Sequence, residues 1–234
     1  MDASEVIMKK LNFPSELAYL CAILLLSLAV ALLSAADFGV SMIVAPAYLL
    51  SLKLGFLTFG QAEYVIQAIL FVILCLVLKR FRPIYFVSFL TCILYGLVLD
   101  GWRRLPLLNP NVTEPGSMGL SLRIVLFLIG VLLTSFSIAL FFETYLYPQL
   151  YDFFVKSVTE RYHLKLSVFK TCFDLTFLLI SVLLTFLFFG TIKGIGIGTV
   201  IMACINGTLI GFFSGLLKRY VTFPVYAKKL ASRF

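Results

Sequence analysis

Six long apolar stretches dominate this sequence and limit the folds that it can adopt. An α-helix rises about 1.5 Å per residue, so about 20 apolar residues cross the hydrocarbon core of a bilayer, which is ~30 Å thick. We therefore predict an all-α membrane protein with six transmembrane helices. They lie at about Leu17–Ala36, Ala62–Leu78, Ile84–Leu99, Ile124–Leu146, Phe169–Phe189 and Gly194–Leu217.

The composition supports one integral membrane domain over residues 1–234. Hydrophobic residues make up 62% of the chain and charged residues 13%, and the mean hydropathy is +1.07. Such values lie outside the range of soluble globular domains. Polar stretches such as Asp100–Arg123 and Tyr147–Lys165 are too short for a soluble catalytic or nucleotide-binding domain.

The basic residues predict the orientation of the chain in the membrane. Six spans place both termini on the same side of the membrane, and most of the 19 lysines and arginines then fall on that side. The positive-inside rule makes that side cytoplasmic. The net charge of +8 is thus explained by topology, and we expect no nucleic-acid partner. The five cysteines lie in apolar runs without metal-binding spacing, so we expect no metal or cofactor.

The two halves of the chain share an outline. Three predicted spans precede the polar loop near residue 110 and three follow it, so the second half runs in the opposite sense. We predict two inverted three-helix repeats, at about 17–100 and 120–217, each with a re-entrant or interfacial segment. These segments are Val40–Leu54, where Pro46 is expected to interrupt a regular helix, and an amphipathic helix near 147–165.

Polar residues inside the spans are the candidate site residues. Asp174 lies within the fifth span, and an intramembrane acid usually faces a bundle interior or a wet cavity. Gln67 lies in the first turns of the equivalent span of the first half, at i+4 from Glu63. With Glu143 and Asn206 they are predicted to border a cavity between the halves. In the alternative, Asp174 only pairs with Lys170 one turn away.

The chain resembles the bacterial YczE/YitT-type integral membrane proteins. The residues that carry the resemblance are the end of the first span, ADFGVS from Ala36, then Phe173-Asp174-Leu175, then GIGIGT from Gly194. The resemblance implies a bacterial inner-membrane protein and adds site candidates by motif position: Asp37, Gly196 and Gly198, with Gly39 and Asp174. The glycines favour either close packing or a turn whose N–H groups face a ligand.

Transport of a small organic solute, either cationic or coupled to protons, is the predicted function. Inverted repeats that meet at the midplane are a common plan of secondary transporters. One alternative is a substrate-capture subunit of an energy-coupling vitamin uptake system, which would dock a partner subunit through the small-residue stripe Ser27, Ala31 and Ala35. The other is a non-transporting accessory protein. A second copy of the chain or a membrane subunit is the expected protein partner, and no enzyme motif is present in the sequence.

Overall fold

The computed structural model describes residues 10–79, 81, 85–114, 117–146 and 149–226. These residues form eight α-helices and one short strand pair. The helices are α1 (Ser15–Ala36), α2 (Ala45–Lys53), α3 (Phe59–Leu78), α4 (Tyr85–Trp102), α5 (Leu120–Phe142), α6 (Leu150–Tyr162), α7 (Leu166–Phe189) and α8 (Ile197–Tyr220).

Six of the described helices are long and apolar enough to cross a membrane, which confirms the predicted fold class. They are α1, α3, α4, α5, α7 and α8. The chain is therefore a multi-pass membrane protein. Pro83, which the repeat comparison matches to Gly194, lies outside the described residues.

Local capping explains why α3 begins earlier than predicted. α3 begins at Phe59 because the Thr58 hydroxyl accepts the backbone N–H of Gln61 at 3.1 Å, and Gln61 Oε1 accepts the backbone N–H of Thr58 at 3.0 Å. This capping box starts the helix before the apolar run does. α5 ends at Phe142, so the predicted bound at Leu146 is wrong.

α1 and α5 form the centre of the bundle, and small residues allow their close approach. Ser27, Ala31 and Ala35 are all buried within the protein. On α5, a Cβ added to Gly130 would lie 2.8 Å from Leu33 Cγ and 3.2 Å from the Ala29 carbonyl oxygen. Gly130 therefore allows α5 to approach the Ala29 and Leu33 side of α1 closely, as is usual between helices in lipid.

The other helices pack in pairs that correspond between the two halves. α1 packs against α4, and α5 packs against α8. Likewise α3 packs against α6, and α7 packs against α2. Each pair maps onto the other when the first four helices are matched in order to the last four. α3 and α4 also pack together, whereas α7 and α8 are not among the packed pairs of the described helices.

The two short helices, α2 and α6, each pack against a long helix of the other half. Pro46 lies in the first turn of α2, where a proline is tolerated because that N–H has no helical partner, so the helix is regular after it. α6 is amphipathic and buries its apolar side against α3 and α7. Both segments are thus helical and packed within the bundle.

The ends of the described chain meet at one face of the bundle. Leu11–Asn12 forms a parallel strand pair with Val221–Thr222, and Phe13 N–H donates to the Thr222 carbonyl at 2.9 Å. A cavity of about 280 Å³ lies beside this junction and is lined by apolar side chains of α1, α5, α8 and the strands. The two ends of the described chain therefore lie at the same face of the bundle.

Candidate functional site

Glu63 and Gln67 of α3 form a polar pair buried inside the bundle. Both side chains are 0% exposed. Because they are four residues apart they lie on one helix face, and Gln67 Nε2 donates to Glu63 Oε2 at 3.1 Å. The pair faces the start of α6, where Gln67 Oε1 accepts the Leu150 N–H at 3.3 Å.

Tyr151 of α6 completes the contacts of this glutamate. Its hydroxyl donates to Glu63 Oε2 at 3.0 Å, and its ring packs edge-on against Phe177 of α7. Burial raises the pKa of Tyr151 well above the ordinary range, so the phenol remains a neutral donor. Glu63 Oε1 has no hydrogen-bond partner among the described residues.

A second polar cluster joins α6 to α7. Lys170 Nζ of α7 is 3.2 Å from Asp152 Oδ1 of α6 and 3.3 Å from Asp174 Oδ1 on its own helix. The second contact is an ion pair without hydrogen-bond geometry. These side chains are 21 to 32% exposed. Asp174 therefore makes the pairing with Lys170 that the sequence offered as an alternative to a ligand site.

The two polar pairs occupy equivalent positions of their helices. Glu63 and Gln67 are the fifth and ninth residues of α3, and Lys170 and Asp174 are the fifth and ninth residues of α7. Both pairs contact α6, the first through Tyr151 and the second through the adjacent Asp152. The start of α6 thus contacts both a carboxyl group that has no basic partner among the described residues and an ion-paired cluster.

Glu143 and Asn206 join α5 to α8 at two separate points. The Ser135 hydroxyl donates to Asn206 Oδ1 at 2.5 Å. Nearer the helix ends, Glu143 Oε1 accepts from the Ser214 hydroxyl at 2.7 Å and lies 3.5 Å from Lys218 Nζ. Interhelical contacts of this kind stabilise helix pairs in lipid.

Residues 13–215 match the model of a family of unknown function, DUF6198. The chain belongs to the DUF6198 family. No curated protein and no solved structure gives a significant match. The region shared with DUF6198 contains every residue of the polar clusters above except Lys218, so the clusters lie within the family domain.

In this DUF6198 member the loop after α1 packs on the glycine run before α8. The Gly198 N–H donates to the Phe38 carbonyl at 2.8 Å, and a Cβ added to Gly196 would lie 2.5 Å from that oxygen. Gly39 has φ +103°, and its added Cβ would lie 2.4 Å from Thr199 Oγ1. These glycines allow backbone to meet backbone, which is the packing explanation that the sequence left open.

Asp37 ends α1 beside this junction. It has a left-handed backbone, with φ 54°, and its carboxylate lies 3.8 Å from Arg123 Nη2. Burial raises the pKa of the Asp37 carboxyl group, while the charges of Arg123 and Lys193 oppose the change. The Arg123 guanidinium also donates to the Ala36 and Asp37 carbonyls at 2.8 and 3.0 Å, so it caps the end of α1.

Within the part of the chain that the structure describes, the predicted site residues make separate contacts. Gln67, Asp174, Asn206 and Glu143 belong to four separate sets of contacts. The 280 Å³ cavity is lined by apolar residues and includes none of them. Sequence reasoning placed Glu63 and Gln67 on one face but proposed only Gln67, and it missed Tyr151 and Asp152. The spacing of Glu63 four residues before Gln67 was the sequence signal that could have identified Glu63.

Proposed function

We propose that this chain is a bacterial inner-membrane transporter of a small organic solute, working between two inverted halves. The observation that carries the proposal is the correspondence of helix pairs, in which α1 with α4 matches α5 with α8, and α3 with α6 matches α7 with α2. Two pseudo-equivalent halves can exchange inward-open and outward-open states. The pairs α3 with α6 and α7 with α2 each contain one helix from either half, so they change when the halves move.

Movement of the halves would change the surroundings of the polar clusters around α6. Glu63 in the first half and Tyr151 in the second share a hydrogen bond, so any separation of the halves changes the surroundings of a buried carboxyl group. The Lys170 cluster contains two acids and one base and has a net charge of −1 when all three are ionised. Both features favour a cationic solute or a proton over an anion, in line with the role proposed for Asp174.

The resemblance to YczE/YitT-type proteins supports the proposed location. It implies a bacterial inner membrane, and the charge distribution implies that both termini are cytoplasmic. The strand pair between residues near the two ends fits termini on one side.

Thermal stability against a panel of metabolites tests the function. A ligand that binds only the folded state adds ~2.7 kcal/mol of stability at ~100 times its Kd. Wild type is compared with Asp174→Asn, with Glu63→Gln and with Glu114→Gln, an exposed control in the loop between α4 and α5. A stabilisation that the first two variants reduce and the control retains identifies a solute class. Flux of that solute into proteoliposomes then tests transport, and stabilisation without flux contradicts it.

Two other functions are distinguished by the same purification. A capture subunit of an energy-coupling uptake system would copurify with an ATPase module, but the stripe expected to dock that module, Ser27, Ala31 and Ala35, is buried inside this chain. An accessory protein would copurify stoichiometrically with a membrane partner and show no solute flux. We regard transport as the better supported of the three.

A further inference from the structure

We propose that Glu63 is a proton-binding site, which carries an exchangeable proton while α6 is docked on α3 and releases it when the two helices separate. The role in coupling rests on the proposed transport function, whereas the bound proton does not. The ligand of this site is the proton itself. Gln67 and Tyr151 hold the Glu63 carboxyl group in place by hydrogen bonds. This assignment moves the proton-carrying role from Asp174, the acid that the sequence favours, to Glu63.

The hydrogen bonds of Glu63 are one-sided, which is the first argument. Oε2 accepts from Gln67 Nε2 and from the Tyr151 hydroxyl, at 3.1 and 3.0 Å. Oε1 is buried and has no partner among the described residues. An ionised carboxylate spreads its charge over both oxygens and needs donors or a cation at each. A proton on Oε1 removes the charge and leaves Oε2 as the acceptor that the two donors require.

Among the described residues no cation pairs with Glu63, which is the second argument. The groups that face it are Gln67 from α3, the Cys92 thiol and the Tyr95 phenol from α4, and the Tyr151 phenol from α6. None of these groups is a cation. An acid at membrane depth is otherwise paired with a base, as Asp174 is with Lys170. Glu63 is neutralised here without a base, and a bound proton does so.

The contacts to α6 connect the proton to the position of that helix. Two hydrogen bonds join the start of α6 to the pair: Tyr151 O–H to Glu63 and Leu150 N–H to Gln67. Moving α6 away from α3 breaks both and admits water to the carboxyl group. Hydration stabilises the ionised form, so the proton leaves to water and the carboxylate remains. Re-docking of α6 requires a proton to return, from whichever side the water has reached.

Infrared spectroscopy of the purified protein tests the bound proton directly. A protonated carboxylic acid has a C=O band that an ionised carboxylate lacks. The spectrum of wild type minus that of Glu63→Gln isolates Glu63, and wild type minus Glu114→Gln gives the matched signal of an exposed glutamate. We expect an acid band in the first difference at pH 7 and only carboxylate bands in the second. Carboxylate bands from Glu63 at pH 7 overturn the proposal.

A hydrophobic carbodiimide gives a second readout, because it adds to protonated carboxyl groups within membranes. We expect peptide mapping to find the adduct on Glu63, and we expect Glu63→Gln to abolish that adduct while Glu114→Gln leaves it unchanged. Equal incorporation in wild type and Glu63→Gln counts against the site.

Flux separates the bound proton from transport. An acid band together with solute flux that moves no protons supports the bound proton and removes its role in coupling, whereas an acid band with no solute flux supports the bound proton and removes the transport function. Solute flux from a protein whose Glu63 is ionised supports the transport function and removes the bound proton.

Discussion

The fifth and ninth residues of α3 and α7 show two ways of holding polar groups inside a membrane protein. On α3, Glu63 and Gln67 are fully buried and their donors are neutral. On α7, Lys170 and Asp174 are 32% and 21% exposed and form an ion-paired cluster with Asp152. Equal position along corresponding helices therefore does not give equal chemistry. The depth of burial decides whether charge is retained, because the cost of ionisation rises as water is excluded.

Removing the base of the second cluster is expected to give the largest effect. Lys170→Met leaves Asp152 and Asp174 as partly buried acids without a cation. We expect a loss of about 3 kcal/mol in the free energy of unfolding, the lower end of the range for breaking a buried pair, because the side chains retain some exposure. Denaturant unfolding in detergent measures it. Lys170→Arg, which keeps the charge, is the control, and equal stability of wild type and Lys170→Met would contradict the comparison.

Removing one donor from the first pair is expected to have a smaller effect. Tyr151→Phe deletes the hydroxyl that donates to Glu63 at 3.0 Å while keeping the ring against Phe177. We expect a loss of about 1 kcal/mol, the usual net value of one buried hydrogen bond. Tyr162→Phe is the matched control, because its hydroxyl donates to the Val77 carbonyl at an exposed position. A loss in the control as large as that in Tyr151→Phe would remove the special role of burial.

Neutralising the acid of the second pair is expected to cost less again. In Asp174→Asn, Lys170 keeps its contact with Asp152 at 3.2 Å, so no charge is left without a partner. We expect a loss of roughly 0.5 to 1 kcal/mol, near the upper end for partly exposed pairs. Thermal unfolding at low and high salt measures it, and the difference should shrink at high salt. A loss as large as that of Lys170→Met would show that Asp152 does not hold the lysine.

Replacing Glu63 itself is expected to have the smallest effect on stability. If Glu63 carries a proton in the docked state, Glu63→Gln exchanges one neutral group for another of the same shape and keeps an acceptor for Tyr151. We expect a change within about 0.5 kcal/mol at pH 7, as for substitutions that break no network. A large gain in stability from this variant would mean that wild-type Glu63 is ionised. Asp174→Asn, measured in the same way, supplies the contrasting value.

Much of the fold was predictable from sequence because it depends on local patterns. Apolar runs long enough for a bilayer gave the six spans, and the Glu63 and Gln67 spacing gave their common face. The pairing of Asp174 with Lys170 was also a local inference, since both lie on one helix. The limits of α3 required the Thr58 capping box, which can be recognised in sequence but was outweighed by the apolar run.

The candidate site was less predictable because its contacts join distant parts of the chain. Asn206 bonds Ser135, and Tyr151 bonds Glu63, across 71 and 88 residues of sequence. The glycines at 196 and 198 could serve a ligand or packing until the loop after α1 was seen against them.

The sequence by itself determined a six-span membrane protein and the faces on which its polar residues lie, because helix periodicity and hydropathy act within a single segment. Only the tertiary structure decided which face is buried. It buried Glu63 against α6, left Lys170 and Asp174 partly exposed, and buried the small-residue stripe of α1 inside the chain. Burial depends on which helices meet, and that is a property of the whole packed chain.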